Sequence, residues 1–275
     1  MSSNAREPIE PKQMFGLNFN ITDQQKFQQA LKLLRESTGG IPMFCADNLI
    51  TWNRNLSFLR DDYYQQILNG KESDAVEKSC IWRLYTLLYF AELCQNVKGD
   101  YVELGCHKGT TAKRLTEKID FKNTGKKYWL YDLFEWKEGD EHTHMPGHDE
   151  PRMYEKVVER FADQPWINII AGPVPNSFVE GFPKTIAFAH IDMNHPFPEE
   201  AALKKVLPKL SPGGCIIFDD YGWWGYSAQK RVLDPIAANM NLKILELPTG
   251  QGLLIKTGSE SEPIKGDSSC SSTNT

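Results

Sequence analysis

Nine residues, Tyr101-Val102-Glu103-Leu104-Gly105-Cys106-His107-Lys108-Gly109, constrain this chain more than any other stretch. The apolar residues from Tyr101 to Leu104 suit a short buried strand. Gly105 and Gly109 permit backbone angles and close approaches that a Cβ forbids. The helix expected next, Thr110 to Lys118, turns its N-terminal amides and their partial positive charge toward whatever lies over the turn. Glu103 closes the strand. Backbone donors on one side and a carboxylate on the other suit a zwitterionic or nucleotide-like ligand. Glu103, Gly105, His107, Gly109 and Thr110 are therefore candidate ligand contacts, with His107 either touching the ligand or filling the turn.

Downstream, strands and helices alternate regularly. Strands are expected at Lys127 to Tyr131, Trp166 to Ile170, Thr185 to Ile191 and Cys215 to Phe218, and two closing strands at Leu242 to Leu247 and Gly252 to Lys256. Helices are expected at Arg152 to Ala162, from Pro198 to Leu210, where Ser211-Pro212-Gly213-Gly214 stops the run, and at Ser227 to Asn239. This order predicts a doubly wound, Rossmann-like α/β fold of seven strands. Ligands in such sheets sit beyond the carboxyl ends of the strands, where strand order reverses. Glu103, Asp132, Asp192 and the Asp219-Asp220 pair end four of the five central strands, so one rim gathers them all. Gly172, after the third strand, belongs to the same rim.

The N-terminal part reads as a helical cap over residues 14–98, ahead of a core over 99–257. A helix is expected from Asp23 to Arg35, then a long one from Ser73 to Asn96 on Val76, Ile81, Leu84, Leu88 and Ala91. Asn48 to Asn55 is either a loop on the flank or a lid. Residues 1–13 read as a loose arm and 258–275 as a Ser-rich disordered tail. With a net charge of −5 there is no basic field to meet a nucleic acid. No apolar run reaches the roughly 20 residues that span a bilayer, and Met1 to Gln13 carry no apolar signal region. The six cysteines (Cys45, Cys80, Cys94, Cys106, Cys215, Cys270) are scattered, as in a reduced compartment. The expectation is a cytoplasmic protein with neither nucleic-acid nor membrane partners, its oligomeric state open to a homo-oligomer.

The rim suggests chemistry. Asp132 can accept from ribose hydroxyls, or simply cap its strand. Asp192, Asp219 and Asp220 end adjacent strands, and three close carboxylates repel unless a cation or shared protons intervene. Oxygen-only donors favour Mg²⁺ over Zn²⁺; the bland alternative has one aspartate capping a helix and the others facing water. The third glycine of a dinucleotide fingerprint is absent from Glu103-x-Gly105-x-x-x-Gly109. That pattern, with the acid after strand two, resembles motif I of class I S-adenosylmethionine methyltransferases. The ordered set Gly99 to Gly105, His190-Ile191-Asp192-Met193, Leu207 to Gly214, Asp219-Asp220-Tyr221-Gly222 and Pro248 to Gly252 is similar to the macrocin O-methyltransferase (TylF/MycF-type) family over roughly residues 45–256.

The resemblance implies a class I methyltransferase fold and methyl transfer from S-adenosyl-L-methionine to a hydroxyl of a small, sugar-bearing acceptor, with Mg²⁺ held by Asp192, Asp219 and Asp220. Where the family often carries a second acid and a Tyr, this chain has Asn194, His195 and Pro196. The related catechol O-methyltransferases place a lysine base three residues after their first metal aspartate. His195 holds that offset, so Asp192 and His195 are the catalytic candidates. Trp223, Trp224 and Tyr226 either wall the acceptor or pack a helix entry. His142, His144 and His148 fit a solvated substrate-facing loop or, less well, a zinc site lacking cysteines. Arg83 reads as a surface salt bridge, or as a reach toward the cofactor. Two other readings stand beside the methyltransferase: a cofactor-binding member without catalysis, and a nicotinamide-dependent oxidoreductase.

Overall fold

The computed structural model describes residues 14–140, 144 and 149–258. The expected arm, His142, His148 and the expected tail beyond Gly258 lie outside the described residues. The chain begins with β1 (Met14–Phe15), α1 (Gln24–Ser37), β2 (Met43–Ala46) and β3 (Leu49–Trp52), and the three strands form a small sheet. The first half of the Asn48 to Asn55 segment is therefore no loop: it is an edge strand paired antiparallel to β2. The two residues joining them, Asp47 and Asn48, both have positive φ (53° and 57°). That conformation matches the right-handed twist of a hairpin, and Asp and Asn tolerate it better than most residues.

Helices α2 (Asp62–Asn69), α3 (Ala75–Ser79) and α4 (Ile81–Leu93) follow. The single helix expected over Ser73 to Asn96 is broken at Cys80, whose ψ is 15°. Val76 and Ile81 are five residues apart, which no single helical face accommodates. The break leaves Val76 exposed while Ile81, Leu84, Leu88 and Ala91 remain buried. Ser79 reinforces it: its hydroxyl donates to the Ala75 carbonyl at 2.7 Å and accepts from the Leu17 amide at 2.7 Å.

The main sheet comprises β4 (Asp100–Leu104), β5 (Tyr128–Asp132), β6 (Ile167–Ala171), β7 (Ile186–Ile191), β8 (Leu210–Phe218), β9 (Leu245–Glu246) and β10 (Gly252–Ile255). Its order is β6-β5-β4-β7-β8-β10-β9, with β10 antiparallel to both neighbours and the other pairings parallel. Strand order reverses between β4 and β7. Helices α5 (Thr110–Lys118), α6 (Phe121–Thr124), α7 (Met153–Arg160), α8 (Pro196–Val206) and α9 (Ser227–Ala238) intervene between the strands. The seven-stranded doubly wound fold is as expected.

Two apolar layers follow from the strand period of two. Tyr101, Tyr128, Phe188 and Ile217 pack with α4, α5 and the N-terminal elements, whereas Val102, Leu104, Ala189 and Phe218 pack with α8 and α9. One punctuation signal misled. Ser211-Pro212-Gly213-Gly214 lies inside β8 as an irregularity, for the register steps from Ile186↔Leu210 to Phe188↔Cys215. Gly213 sits at φ 82° and its amide donates to Lys256 at 2.7 Å, so the glycines bulge the strand rather than end it. The expected strand from Leu242 to Leu247 shrinks to Leu245–Glu246, at the open edge.

Candidate functional site

The rim at the carboxyl ends of β4 and β7 is held together by backbone. Gly105, at φ 93°, lies so close to the end of β7 that a Cβ there would stand 1.8 Å from the Asp192 carbonyl oxygen. Its amide and that of Cys106 donate to the Tyr131 carbonyl (2.8 and 3.1 Å), tying the turn to β5. Gly109 has φ 70°, and a Cβ there would meet the Phe161 ring at 2.8 Å. It precedes Thr110, the first residue of α5. Asp132 completes the turn: one carboxylate oxygen accepts from the His107 amide at 2.7 Å and the other from the Phe134 amide at 2.8 Å. The capping role foreseen for Asp132 is thus present. The Gly172 amide donates to the Asp132 carbonyl at 2.9 Å, which brings the end of β6 to the same place.

Glu103 is corrected. It is 1% exposed, faces the layer opposite to Leu104, and its carboxylate accepts from the Tyr128 hydroxyl and lies 3.4 Å from His190 Nδ1. Glu103 and His190 are register partners on adjacent strands, so it supports the rim through His190 instead of contacting a ligand there.

Asp192, Asp219 and Asp220 do converge, each offering a carboxylate oxygen within 4.8 Å of the others. Strand register brings them there: the Asp192 amide donates to Leu104 at 2.8 Å and the Asp219 amide to Ile191 at 3.0 Å. Their surroundings treat them unequally. Asp219 accepts from Arg83 Nη1 (2.6 Å) and Gln251 Nε2 (3.1 Å), with His190 Nε2 at ion-pair distance, 3.7 Å. Burial would raise its pKa, but Arg83 and His190 outweigh burial and hold it below the usual carboxylate range. Burial, then the charge of Asp219, pushes Asp220 up to about 7. Burial and the two other aspartates push Asp192 well above the ordinary range. His190 would lose its proton on burial alone, yet Asp219 and Glu103 push it up to about 10. The acids on either side thus favour its charged form.

Arg83 is the main correction. Far from a surface salt bridge, its side chain is 11% exposed and stands among the acids. Nη1 donates to Asp219 and, at 3.1 Å, to Asp220, while Nε and Nη2 grip both oxygens of Asp47. The guanidinium lies 4.9 Å from the Trp223 ring centre. Trp223 therefore packs on Arg83, whereas Trp224 is 93% exposed. The sequence did carry a signal for Arg83: it and Glu92 are the only charges in α4, and an arginine in an apolar helix needs a buried partner. Asp47 was foreshadowed only by its place in a two-residue hairpin.

One ring nitrogen of His195 is already engaged. It is the N-cap of α8, where Nδ1 accepts from the Phe197 amide at 3.3 Å. Nδ1 cannot accept that bond and a substrate proton together. His144 pairs with Asp149 at 2.9 Å. Among the described residues, the three aspartates are the sole cluster of three or more metal-ligating groups, and no helix is long and apolar enough to cross a membrane.

The model of a family described as "Methyltransferase domain" matches residues 102–221. No curated protein matches the sequence. The solved O-methyltransferase NovP is similar in structure, with a TM-score of 0.57 at 19% identity, over 74% of this chain and 100% of that one. CalS11, a calicheamicin methyltransferase, gives 0.54 at 12% identity, over 86% and 94%. Its apo form, described as a TDP-rhamnose 3'-O-methyltransferase, gives 0.52 at 14%, over 86% and 96%. At these identities the likeness speaks for the fold. This chain has the class I methyltransferase fold, with the methyltransferase-domain match running from the central strand to just past the aspartate pair.

Proposed function

We propose that this protein is an S-adenosyl-L-methionine-dependent O-methyltransferase of the macrocin (TylF/MycF-type) kind, acting on a hydroxyl of a small sugar-bearing acceptor with help from a divalent cation. One observation carries the reading: three carboxylates meet at the switch point of the sheet, against the glycine turn whose Gly105 touches Asp192. The CalS11 reaction at a sugar hydroxyl makes nucleotide sugars and glycosides the first acceptors to try.

The residues present fit a hard cation. The donors are all oxygen, they lie within 4.8 Å of one another, and burial together with mutual repulsion disfavours the charged forms of Asp192 and Asp220 even with Arg83 nearby. Asp192, Asp219 and Asp220 would hold Mg²⁺, which when bound lowers the pKa of a coordinated hydroxyl by several units. That help matters because a sugar hydroxyl, about as weak an acid as water at pKa roughly 15.7, costs about 12 kcal/mol to ionise at pH 7. The chain's own work is positioning. The glycine turn, whose Gly105, Cys106 and His107 amides are spent on Tyr131 and Asp132, leaves room for the cofactor's methionine part before the start of α5. Asp132 and Gly172 meet its ribose side, and Asp192 collects the acceptor's proton. Transfer is an in-line displacement at carbon, so alignment of acceptor oxygen with the sulfonium methyl supplies much of the rate.

Titration calorimetry with S-adenosylhomocysteine and with NAD, followed by radiolabelled methyl transfer to a sugar-acceptor panel with and without Mg²⁺, tests the reading. Binding of S-adenosylhomocysteine but not of NAD, and Mg²⁺-stimulated transfer, is the expected result. NAD binding would favour an oxidoreductase, and cofactor binding without turnover on any acceptor would favour a non-catalytic protein.

A further inference from the structure

Arg83 comes from α4, in the N-terminal part, yet donates to two of the three aspartates that would hold the cation. A single nitrogen, Nη1, spans Asp219 and Asp220 at 2.6 and 3.1 Å. A hard cation bridging the same two side chains needs their oxygens at roughly 2.1 to 2.5 Å. Arginine cannot lose its charge to make room. The opposite edge of the guanidinium is gripped by both oxygens of Asp47, whose side chain is only 5% exposed. Trp223 covers one face at 4.9 Å. Arg83 therefore has a second, complete anchor that owes nothing to the aspartate pair.

We propose that Arg83 is a built-in competitor for the cation at Asp219 and Asp220, with Asp47 drawing the guanidinium back and so setting the affinity. Arg83 is a positioning residue here, since its effect on methyl transfer passes through the aspartates. Its positive charge serves the carboxylates while no cation is bound, and opposes a cation that arrives. The Asp47 carboxylate weakens that opposition both by charge and by holding the Nε–Nη2 edge. Cation binding is thereby coupled to the hairpin between β2 and β3 and to α4, elements outside the methyltransferase-domain match. The inference rests on the cation reading proposed above.

The test is Mn²⁺ binding to the full chain, in the presence of S-adenosylhomocysteine, read as loss of the free-ion electron paramagnetic resonance signal. Arg83→Met removes the competitor, Arg83→Lys keeps a cation, and Asp47→Asn leaves the arginine charge unopposed. Arg83→Met should bind Mn²⁺ about tenfold or more tightly than wild type, Arg83→Lys within about threefold of it, and Asp47→Asn about threefold or more weakly. A merely structural arginine predicts weaker binding, or none, in every variant. Equal or weaker binding by a folded Arg83→Met overturns the competition and leaves the cation reading standing. Absence of Mn²⁺ binding in wild type and all variants overturns the cation reading, and this inference with it. If Arg83→Met does not fold, Asp47→Asn decides: unchanged or tighter binding refutes the proposal.

Discussion

The rim has two halves built in different ways. Around Gly105 the chain closes on itself through amides and carbonyls: Gly105 and Cys106 to Tyr131, His107 and Phe134 to Asp132, Gly172 to Asp132. Around Asp219 the contacts are ionic and distant, with Arg83 136 residues away and Glu103 reaching the cluster through His190. The first half is specified by shape and leaves no space for a Cβ at Gly105 or Gly109. The second is specified by charge, and its members can be neutralised one at a time. The largest effect is therefore expected in the first. Gly105→Ala places a methyl 1.8 Å from the Asp192 carbonyl at a φ of 93°, costing several kcal/mol through strain and displacement. Urea denaturation measures it; a loss below about 1 kcal/mol would mean that the turn is not the rigid half.

Next comes the charged half. Asp192→Asn keeps the shape and removes one anionic donor, so methyl transfer should fall about a thousandfold or more while S-adenosylhomocysteine affinity changes little. Unchanged turnover in that variant refutes the assignment of Asp192. Loss of S-adenosylhomocysteine binding instead would show that the two halves are not separable.

The same contrast explains what the sequence made legible. The succession of strands and helices, the glycine turn and the convergence of Asp192 with Asp219 and Asp220 follow from local pattern and fold class, so they could be read directly. The partners of those acids could not. Asp47 and Arg83 lie in elements whose packing depends on the whole N-terminal part, and ion pairing leaves no period. Arg83 offered one hint, a lone basic residue near the start of an apolar helix, and Asp47-Asn48 another, a two-residue link between apolar runs. The helix break at Cys80 was hidden because Val76 extended the apolar pattern by one wrong step. His195 stands out by its spacing to Asp192, whereas the register that pairs His190 with Glu103 leaves no mark in the sequence.

His190 makes a smaller, pH-dependent prediction. Its pKa is about 10 in the fold against about 6.5 in an unfolded chain. The folded state therefore binds the proton more tightly. This stabilisation is fully present below about pH 6.5 and is lost as pH rises through about 10. Wild type should lose stability, on the order of a few kcal/mol, between pH 7 and 10. His190→Gln should be less stable at pH 7 and show a flatter slope, by urea denaturation across that range. Parallel slopes would mean that the imidazolium is not what balances Glu103 and Asp219.

The smallest effect separates two roles for one residue. His195 stands three positions after Asp192, the offset that suggested a base, but its Nδ1 accepts from the Phe197 amide at the start of α8. A cap at 3.3 Å contributes modestly, so His195→Ala should cost about 0.5 kcal/mol of stability. A general base contributes about a hundredfold to ten-thousandfold in rate. The cap predicts a change in kcat of less than about threefold, with the pH profile of kcat/KM intact. The two outcomes are far enough apart that one assay at saturating acceptor discriminates them. If kcat falls a hundredfold while stability holds, proton transfer belongs to His195 and the charged half extends one helix further than its ion pairs show. If stability falls and kcat holds, that residue belongs to the half built by shape, and Asp192 remains the group that takes the proton.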